Sequence, residues 1–260
     1  MEKYTIVIRG DELSHQVADD IDNKLKGHFR RDDVNPDLVI SVGGDGTILD
    51  AVHKYLDCQC SFVGVHTGTL GFFTDYRVNE VDMLIEDIIN GEGAINRRHL
   101  LEVEVVTNKG SEIFYALNEM RTDHGFYSQA VNISINGDFL EVFRGNGICV
   151  STNSGSTAYN KSLGGAVIYP GIQVMQLTEV AAISHNAYHS LGSPLILDSS
   201  NEISLISKNF NPLYLGMDHI FHVIDDVVEV KVRVSKRHVR FIEYRERSFI
   251  KRIARAFIHS

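Results

Sequence analysis

Cysteine is scarce in this chain: Cys58, Cys60 and Cys149 are the only three, and they are unevenly placed. Three such residues cannot build a disulfide framework, and Cys58-Gln59-Cys60 lacks the second pair that a structural zinc needs. A reducing cytoplasm is the expected compartment. Long apolar runs are also missing, since none approaches the ~18 residues of a membrane-spanning helix. The opening stretch Met1–Arg9 reads as a strand, not as a signal peptide. Two familiar phosphate-binding signatures do not occur either: Gly-x-x-x-x-Gly-Lys-Ser/Thr and Gly-x-Gly-x-x-Gly. Their absence excludes a P-loop NTPase and an ordinary dinucleotide-binding dehydrogenase. His185 and His189 stand four apart but lack the glutamate of the metalloprotease helix, and His66, His124 and His219 read as loop or pocket residues. No metal ligand from the protein is predicted. Repeats, low-complexity segments and a clear linker are absent as well.

The 260 residues suffice for one large or two moderate domains. A chain of that size buries roughly 70–75% of its surface on folding. Apolar content of 43% and charged content of 23% are ordinary for a globular protein. Net charge is −9, unevenly spread: residues 231–260 hold ten Lys/Arg against Glu243 and Glu246, which is +8 and leaves −17 elsewhere. So acidic a body is a poor nucleic-acid binder, and the basic end reads as a solvated face that pairs with it. Neither nucleic acid nor membrane is an expected partner.

The first hundred residues alternate strand and helix signals. Tyr4–Ile8, Leu38–Val42 and Phe62–Val65 read as strands, while Asp11–Phe29 and Thr47–Tyr55 read as helical. Val81, Leu84, Ile85 and Ile88 fall at i, i+3, i+4 and i+7, which predicts an amphipathic helix stopped near Gly91. Such alternation implies a parallel sheet with ligands at the carboxyl ends of its strands. Beyond about residue 98 short strands and tight turns take over. Leu101–Thr107 turns at Asn108-Lys109-Gly110 into Glu112–Leu117, and Val131–Ile135 turns at Asn136-Gly137 into Phe139–Phe143. Val228, Val230, Val232 and Val234 alternate with Glu229, Lys231 and Arg233 as in a half-buried strand. Residues 245–257 turn helical, with Phe249, Ile250, Ile253 and Phe257 on one stripe.

The expected architecture is an α/β N-terminal domain, Rossmann-like with a parallel sheet, followed by a β-rich C-terminal domain built as a layered sandwich. The first domain spans 1–98 and is completed by about 245–260, where the C-terminal helix returns to it. The second spans 99–244.

Gly43-Gly44-Asp45-Gly46-Thr47 directly follows the strand Leu38–Val42. Glycines at such a strand end leave backbone N–H groups open to an anion, suited to a di- or triphosphate. A carboxylate repels phosphate, so Asp45 makes sense only if it handles a proton or a metal beside the phosphates. The loop therefore points to phosphoryl transfer. Asn118-Glu119, at the end of Tyr115–Glu119, could bind vicinal ribose hydroxyls or could equally be a polar strand end. Gly155-Ser156-Thr157-Ala158-Tyr159 reads as a turn feeding a short helix, whose amides and hydroxyls could hold a sugar or base edge while Tyr159 packs on a ring.

These three elements in this order, together with His66-Thr67-Gly68-Thr69-Leu70-Gly71-Phe72, resemble the NAD kinase family, most of all its short bacterial members. The resemblance covers most of the chain, through Ser193-Pro194-Leu195 and Asp218-His219. It implies ATP-dependent phosphorylation of the 2′-hydroxyl of the adenosine ribose of NAD, a divalent cation, with magnesium expected, and assembly as a homodimer or homotetramer. By motif, Asp45 resembles the family's general base, and Gly43, Gly44, Gly46 and Thr47 its phosphate loop. The NAD site it implies comprises Asp45, Gly46, Phe72, Asn118, Glu119, Arg144, Asn146, Thr157, Ala158, Tyr159, Ser162, Ala181, Ile183 and His219. Within it Asn118 and Glu119 would hold the ribose and Thr157, Ala158, Tyr159 and Ser162 the adenine side.

Two departures stand out. Asn146 occupies a position where the family usually has an aspartate near the nicotinamide, and Asn153 one where proline is common. Rival readings are a lipid kinase sharing the Gly-Gly-Asp-Gly-Thr loop, which leaves Thr157-Ala158-Tyr159 unexplained, and a non-catalytic NAD(P) sensor, which leaves Asp45 without purpose.

Overall fold

The first hundred residues fold as the alternation predicts: β1 (Lys3–Ile8), α1 (Glu12–Leu25), β2 (Arg30–Arg31), β3 (Leu38–Gly43), α2 (Asp45–Lys54), β4 (Ser61–His66), β5 (Tyr76–Arg77) and α3 (Val81–Asn90). The computed structural model describes residues 1–68, 71–184, 188–246 and 248–259. It divides into two units, Met1–Arg98 with Val239–Ser260, and His99–His238.

In the first unit four strand pairings are parallel: β2 with β1, β1 with β3, β3 with β4, and β5 with the end of β4. All six residues of β3 are buried, as expected of a strand covered on both faces. Helix α1 starts at Asp11, whose carboxylate accepts the Ser14 N–H, and buries Val17, Ala18, Ile21 and Leu25. Helix α3 buries the four residues picked out by their spacing and ends at Gly91, whose φ of +71° lets the chain turn off the helix. Side chains from both helices join Leu38, Ile40, Val42, Val63 and Val65 in one core.

In the second unit β6 (Ala94–Thr107, its first five residues in the first unit) forms a hairpin with β7 (Gly110–Ala116). Then come β8 (Glu119–Asp123), β9 (Gln129–Ile135), β10 (Asp138–Gly145), β11 (Gly147–Thr152), α4 (Tyr159–Ser162), β12 (Val174–Val180), β13 (Leu195–Asp198), β14 (Glu202–Ile206), β15 (Leu213–Met217), β16 (Ile220–Ile224) and β17 (Val227–Glu243). One antiparallel sheet runs β13-β12-β11-β8-β15-β16, and β10-β9-β14-β17 belongs to the opposing layer. A single apolar core contains Leu101, Met120, Val131, Phe143, Val150, Leu177, Leu205, Leu215 and Val230, drawn from both layers. Asn136 and Gly137 both have positive φ, 53° and 86°, as the tight β9–β10 hairpin requires.

Strand β17 crosses from the second unit to the first at Val239, where Arg240 and Phe241 pair in parallel with Ser61 and Phe62 of β4. The chain closes with α5 (Phe249–Phe257), capped by Ser248, whose hydroxyl accepts the Lys251 N–H. Several cations of the basic end are paired: Arg233 with Glu102 and Glu202, Arg245 with Asp87, Arg252 with Asp75.

Four expectations are corrected. The second helix begins at Asp45, not Thr47, because Gly44 serves as its extended N-cap. Asn118 lies in a bend and Glu119 opens β8, so this pair joins two strands of different sheets and does not end one. Val228 is exposed, the buried partner being Val227, and Ile250 points to solvent although it lies on the predicted stripe of α5.

Candidate active site

Only Gly44 separates the end of β3 from the start of α2, so the loop places Asp45 in the first turn of a helix. Free amides and the helix dipole at that end favour an anion. None of Gly43, Gly44 and Gly46 uses a left-handed φ. Gly43 is required for a different reason: a Cβ there would lie 2.2 Å from the Thr47 hydroxyl oxygen. Gly44 and Gly46 face open space. Close approach is thus what Gly43 provides, and none of the three glycines is placed by a backbone conformation that other residues avoid.

The Asp45 carboxylate is gripped by backbone. Phe72 N–H donates to Oδ2 at 2.8 Å and Phe73 N–H to Oδ1 at 3.0 Å. This closeness depends on Gly71, where a Cβ would sit 2.1 Å from Asp45 Oδ1. Burial raises the Asp45 pKa above the usual carboxylate value, while the two amide bonds, Arg252 and His66 oppose that rise. Each oxygen keeps a lone pair beyond its amide bond, so the group can still accept a proton in a fixed direction. Nearby, His66 Nδ1 lies 2.7 Å from the Gly68 carbonyl, which can only accept, so Nδ1 carries the proton. Burial lowers the His66 pKa, and its Nε2 has no partner among the described residues. Thr67 N–H donates to Gly43 O at 3.0 Å, tying the end of β4 to the loop.

In the second unit the Asn118-Glu119 bend is held by Asp218. Its Oδ2 accepts Leu117 N–H at 2.9 Å, and its Oδ1 accepts Asn118 N–H at 2.7 Å and Glu119 N–H at 3.2 Å. Asp218 N–H returns a bond to Glu119 O at 2.9 Å, with Asp218 itself at φ +54°. Asn118 Oδ1 and Glu119 Oε2 are buried acceptors with no partner among the described residues. Burial first, and the Asp218 charge second, push the Glu119 pKa up to about 8, opposed by Arg121 and a bond from Tyr159 N–H. At neutral pH Glu119 is then a carboxylic acid, both donor and acceptor, beside a carboxamide. Such a pair suits a vicinal diol.

The Gly155–Tyr159 turn packs on the same bend. Thr152 Oγ1 donates to Leu117 O at 2.6 Å and accepts Gly155 N–H at 3.0 Å, and a Cβ on Gly155 would lie 2.0 Å from Asn118 O. Thr157, Ala158 and Tyr159 are half-buried, Ser162 is exposed at the end of α4, and His219 is exposed beside Asp218. The Arg121 guanidinium stands 4.8 Å over the Tyr159 ring. A further group forms where β10 meets the end of β12. Ile183 N–H donates to Arg144 O at 2.7 Å, and Asn146 N–H donates to Val180 O at 2.9 Å, just before Ala181 at φ +48°. Arg144 covers the Tyr188 ring at 4.4 Å.

The predicted site residues thus fall as Gly43–Thr47 and Phe72 in the first unit and the remainder in the second. Thr69, Leu70 and His185 lie outside the described residues. Sequence reasoning missed the Phe73 amide and Arg121, and it named Asp218 within a motif without its role as the anchor of this bend. No local pattern reveals the contacts of Phe73 and Asp218, because their partners lie 28 and 101 positions away in the chain.

A strand–glycine–aspartate–helix element in the α/β unit and a buried pair of unpartnered acceptors in the β unit are each compatible with a kinase that acts on a nucleotide. Comparison narrows the class. The model of the ATP-NAD kinase N-terminal domain matches residues 8–93, and that of the ATP-NAD kinase C-terminal domain matches residues 117–244. NAD kinases of Staphylococcus aureus strains JH9 and N315 are each 41% identical over 266 residues, covering 99% of this chain and 98% of theirs. The chain belongs to the NAD kinase family. Two solved structures share its fold. A yeast NADH kinase complexed with NADH has a TM-score of 0.87 at 20% identity, covering 100% of this chain and 89% of that one. An Archaeoglobus fulgidus NAD kinase in complex with ATP has a TM-score of 0.78 at 21% identity, covering 98% and 99%.

Proposed function

We propose that the protein transfers the terminal phosphoryl group of ATP to the 2′-hydroxyl of the adenosine ribose of NAD, giving NADP. The observation that carries this reading is the Asp45 carboxylate, fixed by two amides at a glycine-lined helix mouth. A secondary alcohol is a weak nucleophile, and a positioned carboxylate that takes its proton contributes about 10²–10⁴-fold. The rest of catalysis in a loose phosphoryl transition state is alignment and charge neutralisation.

In this reading Asp45 is the base, and Gly43, Gly44, Gly46 and Thr47 present amides and a hydroxyl to the donor phosphates. Asn118 and Glu119 bind the ribose through the two acceptors that lack partners. Thr157, Ala158, Tyr159 and Ser162 hold the adenine side, Phe72 and His219 border it, and Arg144, Asn146, Ala181 and Ile183 serve the nicotinamide half. Residues 1–98 with 245–260 act as the nucleotide-binding domain and 99–244 as the NAD-binding domain. Asparagine at 146 keeps an acceptor, adds donors and removes a charge, so it bears on NAD orientation more than on the chemistry.

Among the described residues no three His, Cys, Asp or Glu side chains gather as a metal cage. That donor set does not fit a resident metal ion. Magnesium is proposed to arrive with ATP as part of the donor, held by phosphate oxygens and water, as is usual for this hard, strongly hydrated ion. A cytoplasmic location and a homodimer or homotetramer complete the proposal. The cysteine content favours the former; no helix among the described residues is long and apolar enough to cross a membrane.

The test is incubation with NAD, ATP and magnesium, read by an NADP-specific dehydrogenase. NADP formation that depends on both substrates is expected; none, in a folded preparation that binds NAD, would favour a silent sensor. In the same assay Glu119→Ala is expected to raise KM for NAD more than KM for ATP. Equal rises would remove Glu119 from the ribose.

A further inference from the structure

The groups that hold Asp45 are themselves held. Phe72 and Phe73 present their N–H groups to Asp45, and on the other side of the same backbone the Phe72 and Thr74 carbonyls accept from the Arg252 guanidinium at 2.8 and 3.2 Å. Arg252 also forms an ion pair with Asp75, both side chains being largely buried. The Phe72 ring stacks on Phe257 with centroids 5.5 Å apart and meets Phe249 at 6.3 Å. Phe73 stacks on Phe241 at 5.5 Å. Side chains along the whole of α5 therefore fix residues 72–75 by three polar contacts and two ring contacts, from 177 to 185 positions away in the chain.

We infer that Arg252 is a positioning residue for the phosphoryl transfer: it fixes the peptide segment whose amides aim the Asp45 carboxylate. Each amide that donates to Asp45 shares its peptide chain with a carbonyl that accepts from Arg252, so displacing the guanidinium frees the 72–75 backbone to shift. Alignment is where such a shift is felt, since a displacement of about 1 Å can cost on the order of 10²-fold in rate. A planar five-donor fork can span two carbonyls and a carboxylate at once, whereas lysine offers a single point charge. The inference rests on Asp45 being the base.

A competing role for Arg252 is on the page. A cavity of about 560 Å³ opens beside it, lined also by Arg77, Lys251 and Arg255, and a donor phosphate could enter there. The two roles separate kinetically. A positioning residue moves kcat; a phosphate ligand moves KM for ATP.

The experiment compares Arg252→Ala, Arg252→Lys and Asp45→Asn with the wild-type enzyme for kcat, KM for NAD, KM for ATP and melting temperature. For Arg252→Ala we expect kcat to fall by about 10- to 100-fold with both KM values within about threefold, and partial recovery of kcat on adding guanidinium at millimolar, non-denaturing concentrations. Arg252→Lys should recover only part of the loss. Should Arg252→Ala fail to fold, Arg252→Lys decides: a lowered kcat at an unchanged melting temperature supports the inference. Wild-type kcat in a folded Arg252 variant overturns it, as does a raised KM for ATP at unchanged kcat. Near-normal turnover of Asp45→Asn would instead overturn the assignment of the base, so the two failures are distinguishable.

Discussion

Glu119 carries opposing demands in one side chain. It is buried, it faces the Asp218 charge, and its pKa is pushed up to about 8, so it folds as a neutral acid. In the unfolded chain it ionises near the ordinary value of about 4.3. Between those two values the folded state holds a proton that the unfolded state has released, so stability falls as pH rises through that window. Glu119→Gln removes the penalty, because a neutral amide stays neutral. The melting temperature of this variant should exceed that of the wild type at pH 8 and converge with it near pH 4, as followed by thermal denaturation without nucleotide. A wild-type advantage that grows with pH would contradict the assignment. Gly71 makes a second residue-scale prediction. Its absent Cβ is the space occupied by the Asp45 carboxylate, so Gly71→Ala should lower kcat while leaving KM for NAD nearly unchanged. Steady-state kinetics with saturating ATP would show it.

At the scale of elements, local patterns decide some features and distant partners others. The spacing of Val81, Leu84, Ile85 and Ile88 was enough to place α3 and its stop at Gly91, because a helix repeats every 3.6 residues whatever lies beyond it. Asn136-Gly137 was equally legible, since its positive φ values are what that dipeptide supplies. The Gly43–Thr47 motif could be read as a phosphate loop, but the amides that aim Asp45 could not, for they belong to another segment 27 and 28 residues on. The start of α2 was misplaced because Asp45-Gly46 has the composition of a turn, and Gly44 could cap a helix without a side chain. Ile250 was assigned to a buried stripe by spacing alone, yet α5 has no buried residue and contributes through its rings and Arg252. Capping gives a direct check at this scale. Asp11→Ala removes the bonds to the Ser14 amide and hydroxyl and should lower the melting temperature, as followed by thermal denaturation, whereas Asp11→Asn, which keeps a capping oxygen, should lower it less.

For the whole molecule, an α/β unit with parallel strands holds the glycine-lined helix mouth and the Asp45 carboxylate, and a β unit with antiparallel strands holds the buried Asn118 and Glu119 acceptors. The basic end of the chain, +8 over its last thirty residues, is drawn into ion pairs with Asp75, Asp87, Glu102 and Glu202. Its charge therefore serves folding within each unit, and in Arg252 it reaches the peptide that holds Asp45. The account stands or falls on one proton. Turnover of Asp45→Asn, measured beside calorimetric binding of NAD, tests it most directly. We predict a kcat lower by about 10²–10⁴-fold with NAD affinity retained, because asparagine preserves the shape but cannot take the hydroxyl proton. Turnover close to wild type in a preparation free of the native enzyme would contradict it.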